Sequence, residues 1–428
     1  VSSQAMTEEI VLDADATRSR KHLCIFVHGM GGDWHDWDTW MDVLSVRLPN
    51  WILRPVTGIH QGSGFLGKSV DHLAELAARE IIEAVRAEQD AKSALVLHCI
   101  GHSMGGLVIR AALPRVFQEL GNDAPELGNY LSLSSPHLGI QSSWRAPLQL
   151  WRNFCWLTAC ITLQLAQLAI QDVSSTREPF LLSISDAGSP YIELLQRFRR
   201  RTCVTVASGD PLIPVSSGIM DPCPSLSPFK HSMFEKSLWR FEELPVMEPS
   251  SSSKWGTSSD SSSEKGGWCA ALLSFFLPSF GWLSRQRRDS RKGVPSDEET
   301  VVGKAIDDLE GGAGGSSPAK DPKWQQNVIE ETSPVKPRAP TTPQKRCKLS
   351  WQTSFDGACR FPCQVLEGLC TATWNRIVVR VHNPPFCKNV HVFLIGKKKE
   401  QYSNEHCMSR QCIERLVENL AAAEAFPL

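Results

Sequence analysis

The chain reads as an α/β fold, a mostly parallel central sheet with helices on both faces, and three observations carry that reading. Short apolar runs at residues 23–27, 51–56, 94–100, 130–134, 203–207 and 377–381 have the length of buried strands. Helical-period runs at 70–88, 104–119, 191–200 and 409–424 alternate with them, and that order suits parallel pairing, in which a crossover must carry the chain back across the sheet. The third observation is size: 428 residues at 42% hydrophobic content support a sizeable core.

The first strand candidate, residues 23–27, runs into His28-Gly29-Met30-Gly31-Gly32. The run at 94–100 ends in Gly101-His102-Ser103-Met104-Gly105-Gly106, and Leu107, Val108, Ala111 and Ala112 follow at helical spacing. A Gly-x-Ser-x-Gly turn between strand and helix is a nucleophile elbow. A serine hydroxyl is a weak nucleophile, so it must stand clear of regular structure where a base reaches one side and an electrophile the other. Gly101 and Gly105, two residues before and two after Ser103, permit so sharp a turn.

Attack by such a serine on an acyl carbon passes through a tetrahedral oxyanion, which needs preorganised backbone N–H donors. The residue after the serine supplies one, here Met104, and Met30 between its glycines is the candidate for the other. His28 and Gly29 are read as supports of that loop, His28 bracing it rather than reacting.

These stretches resemble the serine-esterase, lipase-like family of eukaryotic α/β-hydrolases. The likeness rests on residues 26–32, the acidic and tryptophan-rich 33–40, 101–106, Ser134-Ser135-Pro136-His137-Leu138-Gly139, and Ser208-Gly209-Asp210-Pro211-Leu212-Ile213-Pro214, in the family's order. It spans about 21–246 and 351–428 and implies the order serine, acid, histidine. Asp210, just past the 203–207 strand, then falls at the acid position; the competitors Asp186 and Asp221 lack a preceding strand, and an Asx-turn before Pro211 is the structural alternative. After the 377–381 strand the loop holds two histidines, His382 and His391. The resemblance favours His391, just before a short apolar run, with His382 as runner-up base. Val390 departs from the small and amide residues that usually flank this histidine. His137 is read as support for the site floor, and His231 and His406 as surface residues.

Residues 62–69 fit the phosphate-binding pattern Gly-x-x-x-x-Gly-Lys-Ser, but no buried strand feeds the first glycine, so nucleotide binding is not expected. The 14 cysteines are scattered, several within strand candidates, and no secretory segment precedes the first strand in the sequence as given, so they read as reduced thiols. Cys359, Cys363 and Cys370 lack zinc-site spacing, and no metal or cofactor is expected. A net charge of −1 provides no electrostatic case for nucleic acid.

Residues 1–20 read as a loose lead-in, 21–246 as the first part of the hydrolase domain, 247–350 as an insertion too rich in Ser, Gly and Pro to build a core, and 351–428 as the part that completes the domain. Two apolar stretches bear on substrate. Residues 144–173 include an uncharged run at 153–171 in which Gln164, Gln167 and Gln171 recur at helical spacing, read as a lid-like amphipathic helix. Residues 268–283, within the insertion, are bounded by Trp268 and Trp282 and followed by Arg285, Arg287, Arg288, Arg291 and Lys292. That composition suits an anionic membrane interface. The expectation is a cytoplasmic, peripherally membrane-associated serine hydrolase cleaving carboxylic esters of lipid-like substrates through an acyl-enzyme. The rival readings are an acyl-thioesterase and a non-catalytic scaffold on the same fold.

Overall fold

A computed structural model of the chain describes residues 19–59, 68–90, 93–140, 163–172, 178–207, 210, 212–222, 224, 226, 239–249, 351–353, 360–381, 390–397 and 404–425. Its strands are β1 (Ser19–Val27), β2 (Trp51–Pro55), β3 (Ser93–His102), β4 (Glu126–Leu133), β5 (Arg200–Val206), β6 (Trp239–Met247), β7 (Trp351–Thr353), β8 (Arg360–Pro362) and β9 (Trp374–Val381). Its helices are α1 (Asp38–Arg47), α2 (Val70–Glu88), α3 (Met104–Leu120), α4 (Leu163–Leu168), α5 (Phe180–Ser183), α6 (Pro190–Arg197), α7 (Val215–Gly218), α8 (Cys363–Leu369) and α9 (Asn404–Ala425).

Seven strands form one sheet in the order β2-β1-β3-β4-β5-β9-β6, parallel throughout except for β6, which runs antiparallel along β9. From β1 the chain steps outward to β2, then crosses back over β1 to β3 and proceeds in the other direction through β4 and β5, after which β6 takes the far edge and β9 returns between β5 and β6. A crevice opens at such a reversal beyond the carboxyl ends of the strands. This is the α/β-hydrolase architecture. One compact unit comprises Val1–Asp260 with Leu349–Leu428, and the other, Ser261–Lys348, lies outside the described residues, as does the apolar stretch 268–283.

Strand alternation sorts the core onto two faces. Along β1, Leu23, Ile25 and Val27 join a cluster with α2 and α3, whereas Cys24 and Phe26 join one with Trp37 and Trp40 near α1 and with Ile413, Leu416 and Val417 of α9. Fully burying an aliphatic side chain of this kind contributes about 1.5–3 kcal/mol relative to exposure.

The departures from the sequence reading have local causes. β4 begins at Glu126, not 130, and takes in Gly128, where a Cβ would run into the His98 ring, so glycine lets two neighbouring strands approach. β6 is absent from the sequence reading. It carries Pro245, Arg240, Glu242 and Glu243, a composition tolerated at an edge, and its pairing with β9 shifts register after Leu244. Of the lid-like stretch, α4 is described. Its glutamines are not a solvent face: Gln164 and Gln167 are buried and Leu163 is 50% exposed. Gln167 accepts from Val70 N at 2.6 Å and donates to Asp71 Oδ2 at 2.7 Å, and Gln164 donates to the Lys68 carbonyl at 2.7 Å. Amides caught at a helix N-terminus satisfy donors that the helix itself leaves open. Of the phosphate-loop pattern, residues 62–67 lie outside the described set, and Ser69 is the N-cap of α2, accepting from His72 N.

Candidate active site

The turn at Ser103 is tight because three backbones meet there. β3 ends at His102, α3 starts at Met104, and Ser103 between them sits at φ 53°, ψ −127°. A side chain in that region costs about 1–3 kcal/mol and persists only where the surroundings enforce it. They do: Ser103 N donates to the Leu133 carbonyl of β4 at 2.8 Å, a Cβ on Gly101 would fall 2.5 Å from Gly106 N, and one on Gly105 would strike the Val27 carbonyl of β1. β1 runs beside β3 with Val27 opposite Gly101, so the loop that follows β1 is delivered to the serine. A Cβ on Gly29 would lie 2.8 Å from Ser103 Cβ and 3.3 Å from its Oγ.

Buried His28 braces this loop through Nδ1, 2.9 Å from the Gly29 carbonyl. Met30 packs against the core at the loop tip. Met104 occupies the first position of α3, where a backbone N–H has no acceptor within its helix and the helix dipole favours negative charge.

Asp210 follows β5 and divides its carboxylate between two tasks. Oδ1 accepts from Leu212 N at 2.9 Å and Ile213 N at 3.0 Å, the turn geometry expected of an aspartate before proline. Oδ2 lies 2.9 Å from His391 Nδ1. Burial alone would raise the Asp210 pKa, but the His391 ring and the two backbone donors outweigh it and hold the carboxyl below the usual carboxylate range. Nδ1 of His391 therefore carries the proton donated to Asp210, which leaves Nε2 as the basic nitrogen. The competitors are otherwise engaged: Asp221 pairs with Arg376 Nη1 at 2.6 Å, and Asp186 is exposed.

His391 lies in a 3-10 turn, Val390–Ile395, beyond β9. Val390, Phe393, Leu394 and Ile395 are buried in the core cluster, so the bulky residue beside the histidine anchors it. His382 and His231 lie outside the described residues, and of His406 only its place in α9 is described. His137 is fully buried under the site, with Nε2 2.8 Å from Ser132 Oγ and Nδ1 3.3 Å from Arg110 Nη1. Burial, reinforced by the Arg110 charge, lowers its pKa well below the ordinary histidine value. Arg110 itself is pushed down to about 10 by burial and also donates to the Ile184 carbonyl and Ser185 Oγ at 2.9 Å.

Two contributors escaped the sequence reading. His102, directly before the serine, donates from Nε2 to the His391 carbonyl at 2.9 Å, with the ring centroids 4.8 Å apart. Burial and the neighbouring His391 push its pKa down to about 3, so it is neutral. Its place inside the elbow is visible in sequence; its partner 289 positions away is not. The segment from Asp36 to Trp40 likewise contacts residues 394–397. Among the described residues no three His, Cys, Asp or Glu side chains converge as a metal would require, and no helix is long and apolar enough to cross a membrane. Cys24, Cys99, Cys203, Cys370 and Cys412 are buried free thiols.

The arrangement offers a strained serine, a glycine loop packed against it, and a histidine 2.9 Å from a buried carboxylate, a set of groups that acyl transfer through a covalent serine intermediate could use. Residues 17–224 match the family described as "Putative serine esterase (DUF676)". A yeast protein described as "Putative lipase ROG1", from Saccharomyces cerevisiae, is 29% identical over 150 residues, which is 35% of this chain and 20% of the relative. The matched part thus spans about a fifth of that relative's length. Among solved structures, the RedJ thioesterase of the prodiginine pathway in Streptomyces coelicolor aligns over 47% of this chain and 72% of its own, with 18% identity and a TM-score of 0.27. The peroxisomal α/β-hydrolase Lpx1 of Saccharomyces cerevisiae aligns over 47% and 66%, with 13% identity and a TM-score of 0.27.

Proposed function

From the premise that residues 17–224 carry the signature of a serine-esterase family, we propose that this chain hydrolyses carboxylic esters of lipid-like substrates through an acyl-enzyme on Ser103. The observation that carries the proposal is the buried His391–Asp210 pair, 2.9 Å apart, at the same end of the sheet as the strained serine. Ser103 Oγ attacks the acyl carbon as its proton passes to His391 Nε2, and the Met30 and Met104 N–H groups hold the oxyanion. His391 returns the proton to the leaving alcohol. Water then attacks the acyl-enzyme by the same route, releasing the carboxylic acid and restoring Ser103. Asp210 keeps the imidazole in one tautomer and stabilises its charged form. No step calls for a cofactor.

A panel of esters and thioesters with varied headgroups and chain lengths tests this reading. Oxygen esters with an apolar acyl chain are cleaved by the wild type and not by Ser103→Ala. Cleavage confined to acyl thioesters would replace the esterase assignment, and turnover of no acyl compound would favour the scaffold.

A further inference from the structure

The loop that presents the oxyanion donors and the segment that carries the base are tied directly to each other. Asp36 Oδ1 lies 2.5 Å from Lys397 Nζ, with the Asp36 side chain 6% exposed. Two further bonds run in the same direction: Thr39 Oγ1 donates to the Gly396 carbonyl at 2.8 Å, and Trp40 Nε1 to the Leu394 carbonyl at 2.9 Å. On its other side Asp36 belongs to the oxyanion loop, because Oδ2 accepts from Asp33 N at 3.3 Å and a Cβ on Gly32 would fall 2.6 Å from it. Lys397 lies six residues beyond His391, past Gly396 at φ 64°, where the chain turns after its 3-10 segment.

We propose that the Asp36–Lys397 ion pair is a latch between the oxyanion loop and the base segment, and that both are positioning residues which set His391 in register with Ser103 and the Met30 N–H. The proposal rests on the catalytic reading of Ser103 and His391. Neither Asp36 nor Lys397 reaches the reacting atoms in this account. They act through the backbone on either side of the site, where small displacements are costly because proton transfer and oxyanion binding both depend on alignment. The two backbone acceptors, at Leu394 and Gly396, stay bonded to α1 when the ion pair is removed, so loss of the pair loosens the segment without unfolding it. The long reach in sequence, 361 positions from Asp36 to Lys397, also explains why neither residue stands out in a linear reading.

The test uses the full chain with Lys397→Met, which keeps the apolar stem, Asp36→Asn, the double variant and Lys397→Arg. On a soluble ester the single variants lose about 10- to 100-fold in kcat with KM within about twofold of wild type, the double variant loses no more than the worse single, and Lys397→Arg restores most of the rate. Hydrogen exchange of the amides at 390–397 quickens about tenfold in Lys397→Met, and does so equally in a Ser103→Ala background where no turnover occurs. Unchanged exchange across 390–397, or a kcat within about twofold of wild type in Lys397→Met, overturns the latch. A wild type that hydrolyses nothing, together with the quickened exchange, overturns the catalytic reading and leaves the latch as a contact between the two segments. If Asp36→Asn fails to fold, the lysine variants and the exchange measurement still decide.

Discussion

Nδ1 of His391 stands 2.9 Å from Oδ2 of Asp210, across 181 positions of sequence. β9 and β5 make this possible by pairing in parallel, Thr202 opposite Asn375 through Val206 opposite Val379, so that the loops leaving their carboxyl ends emerge side by side. With Oδ1 occupied by two backbone amides, Asp210 can hold the imidazole in one orientation only. Asp210→Asn is therefore expected to lower kcat by about 10³- to 10⁴-fold through the wrong tautomer, and His391→Ala to approach the loss seen without the serine. His382→Ala should cost far less. Asp221→Asn, which breaks the pair with Arg376, should lower the melting temperature rather than kcat. Steady-state kinetics of the four variants check the assignment, and wild-type rates in His391→Ala would transfer the base role to His382.

Acid should weaken the fold well above the carboxylate range. His98, His102 and His137 are buried and kept neutral, chiefly by burial; neighbouring His22 and Arg199 add to this at His98, His391 at His102 and Arg110 at His137. In the unfolded chain they titrate near about 6.5. Below that value the unfolded state binds protons that the folded state refuses, so the stability they confer is complete above about pH 6.5 and is lost as the pH falls, down to about 3 for His102. Each fully titrating histidine contributes a slope of about 1.4 kcal/mol per pH unit. Asp210, whose folded pKa is depressed, adds its own loss below about pH 4. Urea unfolding at about pH 7.5 and about pH 5 measures the histidine part, and equal stability at the two values would contradict it.

The insertion offers a separate test, since its composition supplies no core while residues 268–283 and the basic cluster after them suit a membrane interface. Replacing residues 249–346 by a short flexible linker is expected to preserve hydrolysis of a soluble ester and weaken binding to anionic liposomes. Salt should imitate part of that loss in the intact chain, because charges are screened over about 10 Å at ~0.1 M ionic strength. Loss of soluble-ester activity in a folded variant would assign the segment to the catalytic unit, and unchanged liposome binding would remove its membrane role.

Much of this site is legible in the sequence, because its parts are punctuated locally. Glycines at 29, 101 and 105 mark backbone crossings that admit no Cβ, and they bracket the residues that matter. The apolar runs at 23–27, 94–100 and 377–381 fall within a few residues of β1, β3 and β9, since continuous apolar runs of that length have few other uses. What stayed hidden depends on neighbours far along the chain. Gln164 and Gln167 look like a solvent face until α2 is placed beside them. The close approach of His98 to Gly128 leaves no mark in the sequence, and β6, charged and interrupted by Pro245, finds its place only as the edge partner of β9. His102 and Lys397 carry no local signal for their contacts with the base segment and the oxyanion loop.

The central claim is that Ser103 is the nucleophile, and covalent labelling with an alkyl fluorophosphonate, mapped by peptide mass spectrometry, tests it most directly. One modified residue, Ser103, is expected, with labelling and ester hydrolysis both abolished in Ser103→Ala while the melting temperature is retained. Labelling that persists in the alanine variant, or a folded wild type that neither labels nor hydrolyses any acyl ester, would contradict it.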